Sequence, residues 1–177
     1  MIRYYVTDRR QGDVLASAAR AVQNGVDMIQ VREKDLSGAE LFELVCRMRD
    51  LAAGSATRIL VNDRLDVALA ASIDGVHLPA NGLPAARVRP LVKSLGVSVH
   101  SLEEAMAAES AGADFIVFGP IFDTPGKQAV GLEPLQRVAS GVRIPVLAIG
   151  GITPERTRDV IAAGAAGIAG IRIFQTV

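Results

Sequence analysis

A four-residue junction recurs along this chain of 177 residues: Asn24-Gly25-Val26-Asp27, Ala111-Gly112-Ala113-Asp114 and Ala163-Gly164-Ala165-Ala166. Each follows an apolar stripe at helical spacing and runs straight into a short β-prone segment. Such self-similarity is expected of a repeated βα unit, in which glycine closes the helix and the next strand starts at once. The strand-like runs are Ile2 to Thr7, Ile29 to Lys34, Ile59 to Val61, Gly75 to Leu78, Gly96 to His100, Asp114 to Phe118, Pro145 to Ile149 and Gly167 to Ile173. Helical patterns separate them: one behind Asp13, two behind the capping boxes Ser37 to Glu40 and Ser101 to Glu104, and others near 85–93, 133–139 and 154–163. Alternation of this kind gives an open doubly wound sheet or an eight-fold barrel, and eight units favour the barrel. The expectation is an α/β fold, a compact (β/α)8 TIM barrel in a single domain over residues 1–177. Only Gln175-Thr176-Val177 follow the last strand, so its final helix is expected to be truncated or missing.

Composition agrees. Half of the residues are hydrophobic but only 4% are aromatic, and there are 17 glycines. Such a core of Val, Ile, Leu and Ala suits a parallel sheet wrapped by helices. Lys+Arg and Asp+Glu balance at 19 each, which argues against a general binder of nucleic acid or anionic membrane. Cys46 is the only cysteine, so an internal disulfide and a cysteine-cluster metal site are excluded. No apolar run reaches spanning length and the chain opens directly into a strand, so a cytoplasmic location is expected.

Ligands of parallel α/β folds bind at the carboxyl ends of the strands. There the polar residues of this chain gather. Read as a strand, Ile29-Gln30-Val31-Arg32-Glu33-Lys34 sends Gln30, Arg32 and Lys34 to one face and the other three to the opposite one. Asn62 and Asp63 end the third strand, Ser98 and His100 the fifth, and Thr124 and Lys127 lie beyond the sixth. Gly150-Gly151 precedes a helix start at Thr153-Pro154 and reads either as a tight turn or as a pattern that brings backbone N–H groups and a helix dipole to an anion, its place after strand seven favouring the latter. Gly170-Ile171-Arg172 can add donors beside it, and the Thr124-Pro125-Gly126-Lys127 loop can close on a substrate. Asp63 reads either as a ligand for a hard cation or as a helix cap. His77 and His100, in apolar strands, read as hydrogen-bonded barrel residues rather than bases. Cations, one candidate metal carboxylate and a backbone phosphate cradle suit departure or transfer of a diphosphate group.

Several stretches, in this order, resemble thiamine phosphate synthases and the related thiazole tautomerases. They are Ile29 to Lys34, Val61-Asn62-Asp63-Arg64, Asp74-Gly75-Val76-His77-Leu78, Gly96-Val97-Ser98, Phe118 to Phe122 and Ala148 to Thr153. The resemblance implies a transferase that joins hydroxymethylpyrimidine diphosphate to a thiazole phosphate with Mg²⁺ and releases pyrophosphate. It implies Gln30 against the pyrimidine, and Arg32, Lys34, Asn62, Ser98 and Lys127 on the diphosphate. It further implies Asp63 on Mg²⁺, with Thr124, Gly126, Gly150, Gly151, Ile171 and Arg172 around the thiazole phosphate.

The chain departs from the synthase pattern at several points. The loop after the fourth strand reads Pro79-Ala80-Asn81-Gly82, without the family's second metal carboxylate. Gly126 stands where the family's phosphate loop has a second threonine, the segment from there to Gly131 is short, and Arg172 stands where the family usually has serine. The tautomerases offer an alternative, an isomerase of carboxythiazole phosphate, but their catalytic histidine is replaced by Pro120. A non-catalytic binder of thiazole or thiamine phosphate is the other alternative. The expected partners are small-molecule substrates, with a homo-oligomer one way to cover barrel surface left bare by a short final helix.

Overall fold

A computed structural model describes residues 1–175 and arranges them as a closed barrel of parallel strands in chain order. The strands are β1 (Ile2–Val6), β2 (Met28–Val31), β3 (Arg58–Asn62), β4 (Gly75–Leu78), β5 (Ser94–Val99), β6 (Phe115–Phe118), β7 (Val146–Ile149) and β8 (Gly167–Gly170). The helices are α1 (Val14–Gln23), α2 (Gly38–Ala52), α3 (Leu65–Ala70), α4 (Ala85–Val88), α5 (Leu102–Ser110), α6 (Leu132–Gly141), α7 (Pro154–Ala162) and α8 (Arg172–Gln175). Pairing of Tyr4 with Ala169 and Tyr5 with Gly170 closes β1 on β8. The expected eight-fold barrel is the fold observed. No helix among the described residues is long and apolar enough to cross a membrane.

Strict alternation divides the apolar side chains between two cores. Tyr4, Met28, Leu60, Phe115, Val117, Leu147 and Ala169 fill the barrel. Ile29, Val31, Ile59, Val61, Val76, Leu95 and Ile116 face outward onto helix residues such as Val45, Met48, Leu135 and Val160. Burying each such aliphatic side chain contributes about 1.5–3 kcal/mol before chain entropy is subtracted. Asp27, Asp74 and Asp114, just ahead of β2, β4 and β6, each accept a bond from the backbone N–H of the second residue of the neighbouring strand, Arg3, Ile59 and Leu95. They brace the amino end of the barrel and leave the carboxyl end for a ligand.

Several expected details differ. β2 stops at Val31 rather than Lys34, because Glu33 turns inward and accepts from the Thr7 hydroxyl and the Arg9 backbone. β8 stops at Gly170, where its ladder with β1 ends, and Ile171 to Ile173 belong to a turn and to α8 instead of a strand. Within α8, Phe174 is buried against Tyr5, with ring centroids 6.3 Å apart, so a short helical turn covers that part of the barrel. Thr176 and Val177, expected beyond the last strand, lie outside the described residues. The helix expected over 85–93 is α4 followed by a 3-10 turn at Arg89–Leu91, since Pro90 lacks the N–H an α-helix needs. Ser101 caps α5, but Glu104 accepts from the His100 backbone, so that capping box makes only one of its two bonds.

Candidate active site

The carboxyl ends of the strands surround a cavity of about 720 Å³ lined by Arg32, Lys34, Asn62, Ser98, Thr124, Lys127, Gly150 and Ile171, among others. Arg32 is the first residue past β2. Its backbone N–H donates to Thr7 Oγ1 (3.0 Å), the hydroxyl that donates to buried Glu33, so the exit of this strand is fixed from β1. Lys127 comes from the far side on a tight turn, with paired backbone bonds between Thr124 and Lys127. Pro125-Gly126 forms its corner with Gly126 at φ +76°, the Pro-Gly chemistry of a type II turn. Three cations thus converge on one cavity, with Glu104 and His100 on its rim.

A second cavity of about 450 Å³ opens beside the first and is lined by Gly150, Gly151, Thr153, Ile171, Arg172, Gln11 and Arg156. Thr124, Pro125, Ile149, Gly150 and Ile171 line both, so they form a shared wall. Gly150 and Gly151 have φ +98° and +63°, and a Cβ on Gly150 would lie 2.4 Å from Pro120 Cβ. No other residue type fits there. The first turn of α7 follows, with Thr153 at the N-cap making no side-chain cap bond and Pro154 just inside. Arg156 donates to the Gly151 carbonyl (3.1 Å) and packs 4.6 Å from the Phe122 ring centroid. Arg172 Nε donates to Gln11 Oε1 (3.3 Å), and Gln11 Nε2 donates to Asp8 Oδ2 (2.7 Å). Hydrogen bonding from Arg10 holds the Asp8 carboxyl at about 2, so it is ionised at neutral pH.

Asp63 lies in a third, smaller cavity of about 270 Å³ with Glu33, Lys34, Asn62 and Arg64. Lys34 and Asn62 line this cavity and the largest one, so Asp63 adjoins the central cavity rather than lining it. Its backbone is left-handed at φ +63°, a conformation Asp tolerates better than most residues. Its carboxylate accepts no hydrogen bond from a described residue, and a Cβ on Gly82 would stand 3.1 Å from Oδ1. Among the described residues, no three His, Cys, Asp or Glu gather to hold a metal by themselves. One unengaged carboxylate beside a cavity lined by three cations fits Mg²⁺, which takes one or two protein carboxylates and fills its sphere with substrate oxygens and water.

Two expected site residues stand apart. Gln30 is buried beneath the cavity floor, where its carboxamide nitrogen donates to the Tyr4 hydroxyl (3.0 Å). Gly126 is the corner of the Thr124 turn and lines neither large cavity. Gln11, Arg156, Glu104 and Tyr4 were not singled out from the sequence. Strand alternation in β1 would have found Tyr4; no local signal marks Gln11. His77 is a buried, hydrogen-bonded barrel residue as expected. Burial, aided by the charge of Arg32, depresses its pKa to about 3, so it is neutral at physiological pH.

Fold and site together define a (β/α)8-barrel protein with two adjoining cavities at the carboxyl ends of its strands, the larger lined by Arg32, Lys34 and Lys127. The chain belongs to the thiamine monophosphate synthase family, whose model matches residues 3–174. It is 40% identical to a thiamine-phosphate synthase of Desulfitobacterium hafniense, over 93% of this chain and 84% of that one. It is likewise 40% identical to one of Pyrococcus horikoshii, over 94% and 83%. Among solved structures it resembles the thiamine phosphate pyrophosphorylase from Pyrococcus furiosus, with a TM-score of 0.89, 38% identity and coverage of 96% and 85%.

Proposed function

We propose that this chain is a thiamine-phosphate synthase-type transferase, joining hydroxymethylpyrimidine diphosphate to a thiazole phosphate and releasing pyrophosphate. One observation carries the reading: two anion compartments share a wall at Thr124, Pro125, Ile149, Gly150 and Ile171. A reaction between two phosphorylated substrates needs their reacting ends to meet while their phosphates stay apart, and a shared wall provides that. Relatives named thiamine-phosphate synthase support it. No comparison supports the isomerase alternative.

In this reading the larger cavity takes the diphosphate. Arg32, Lys34 and Lys127 supply full positive charges, and Asn62 and Ser98 supply neutral hydrogen bonds. When the bond from the pyrimidine methylene carbon to the diphosphate oxygen breaks, its electron pair leaves with the diphosphate. The charge gained there is met by donors already in place, where they contribute most. The thiazole nitrogen then forms the new bond to the methylene carbon. Gly150, Gly151 and the start of α7 hold the thiazole phosphate, which keeps its charge throughout, with Ile171 and Arg172 alongside. Asp63 would hold Mg²⁺, which when bound supplies charge neutralisation at the diphosphate. Gln30 reads the pyrimidine only through the cavity floor, and Gly126 acts by shaping the Thr124 turn. A homo-oligomer belongs to the same proposal and is checked by light scattering.

The test is direct. The purified protein is given both substrates with Mg²⁺, and thiamine phosphate and pyrophosphate are assayed. Equimolar appearance of both is expected; absence of both at high enzyme concentration overturns the reading.

A further inference from the structure

A series of hydrogen bonds climbs through the barrel interior to the floor of the larger cavity. Gln30 Nε2 donates to the Tyr4 hydroxyl (3.0 Å). That hydroxyl lies 3.2 Å from His77 Nδ1, and His77 Nε2 lies 2.8 Å from Ser98 Oγ. Of the four, only Ser98 lines the cavity. The rings are held firmly. Phe115 meets Tyr4 edge-on with centroids 5.3 Å apart, and the missing Cβ of Gly96 leaves room for both Phe115 and the His77 imidazole.

Proton counting gives the series a direction. A phenol has one proton to donate, and burial keeps the Tyr4 hydroxyl protonated by pushing its pKa far up. Because it receives from Gln30, its own proton goes to His77 Nδ1. A neutral imidazole that accepts at Nδ1 carries its proton on Nε2, and so donates to Ser98 Oγ. The Ser98 hydroxyl keeps its proton for the cavity side. We propose that Gln30, Tyr4 and His77 act as positioning residues that aim the Ser98 O–H into the cavity as a dedicated donor to a diphosphate oxygen. This rests on the reading of that cavity as the diphosphate site. The device adds a fixed dipole without adding charge, and being buried it needs no reorganisation when charge develops. Rotation of the Gln30 carboxamide by half a turn would reverse every donor and turn a Ser98 lone pair toward the anion. The proton on His77 therefore reports the direction of the whole series.

Nitrogen-15 NMR of the labelled, ligand-free protein distinguishes a ring nitrogen that carries a proton from one that carries a lone pair. The proton is expected on His77 Nε2; a proton on Nδ1 overturns the proposal. Calorimetry with inorganic pyrophosphate and Mg²⁺ supplies the second arm. Ser98→Ala and Tyr4→Phe are each expected to weaken binding about tenfold, the worth of one hydrogen bond. The double variant is expected to bind no more weakly than Ser98→Ala, because both remove the same donor. His77→Gln, whose carboxamide nitrogen can take the place of Nε2, is expected to stay within about threefold of the parent. Losses that multiply to about a hundredfold would mean independent damage and would overturn the positioning role. Failure of the parent protein to bind pyrophosphate overturns the diphosphate reading and Ser98's role with it, whereas the His77 tautomer is read independently of that result.

Discussion

In the function proposed above, the two halves of the site would hold their anions by different means. Around the larger cavity the groups are side chains, with Arg32 beyond β2, Ser98 on β5 and Lys127 on the turn after β6. Around its neighbour the Gly150-Gly151 turn, Gly170 and the start of α7 bring backbone to the cavity, with Arg156 and Arg172 beside them. On that proposal, the difference follows the charge each would handle. A departing diphosphate gains negative charge during the reaction and calls for full cations, which give the stronger charge-assisted bonds. A phosphate that only anchors its substrate is satisfied by the partial charges of N–H groups and a helix terminus. The first half should therefore be sensitive to losing a side chain, the second to gaining one.

The largest effect that sharpens this contrast is expected from Arg32→Ala. Steady-state kinetics should show kcat/KM for the pyrimidine diphosphate falling about 100- to 1,000-fold, with KM for the thiazole phosphate little changed. Unchanged kinetics would remove Arg32 from the site. Gly150→Ala should do the reverse. Its methyl would meet Pro120 at a positive φ, a strain of roughly 1–3 kcal/mol, so KM for the thiazole phosphate rises and Tm drops. Normal KM and Tm would mean that the backbone cradle is not needed.

Lowering the pH tests what lies under the diphosphate half. His77 is neutral in both folded and unfolded states above its ordinary pKa of 6.5. Below that value only the unfolded chain takes up the proton, so stability falls as pH falls, until the folded pKa of about 3 is reached. The slope approaches about 1.4 kcal/mol per pH unit, and Asp8 adds loss of the same sign below about 4, its unfolded value being 3.8. Denaturant titrations between pH 7 and 4 should show the slope in the parent and not in His77→Gln. The smallest effect is expected from Arg172→Ala, a rise of about tenfold or less in KM for the thiazole phosphate. A loss as large as that of Arg32→Ala would erase the contrast between the halves.

Much of this was open to inspection along the chain. The glycine junctions at Gly25, Gly112 and Gly164 adopt the positive φ that a helix terminated by glycine calls for, and the strands follow them in order. The Gly150-Gly151 turn was equally readable, since two adjacent glycines ahead of Thr153-Pro154 mark a turn into a helix locally, and both adopt positive φ. Side-chain groups were harder. Period 2 put Gln30 with Arg32 and Lys34, but the strand ends at Val31 and Gln30 stays below the floor while Arg32 rises into the cavity. The reason is the Thr7–Glu33 bond across 26 residues, which no local window contains.

The sequence by itself determined the barrel, because hydrophobic period, caps and glycine stops are local quantities that repeat at every unit. It also determined which chemical groups stand at the strand ends. Only the tertiary structure decided which of them share a cavity. Whether a polar side chain reaches the ligand depends on where its strand leaves the barrel, and cross-strand partners set that point. Thus Asp63 turns into a side cavity, and Tyr4, His77 and Ser98, each 21 residues or more from the next, fall into one line of hydrogen bonds.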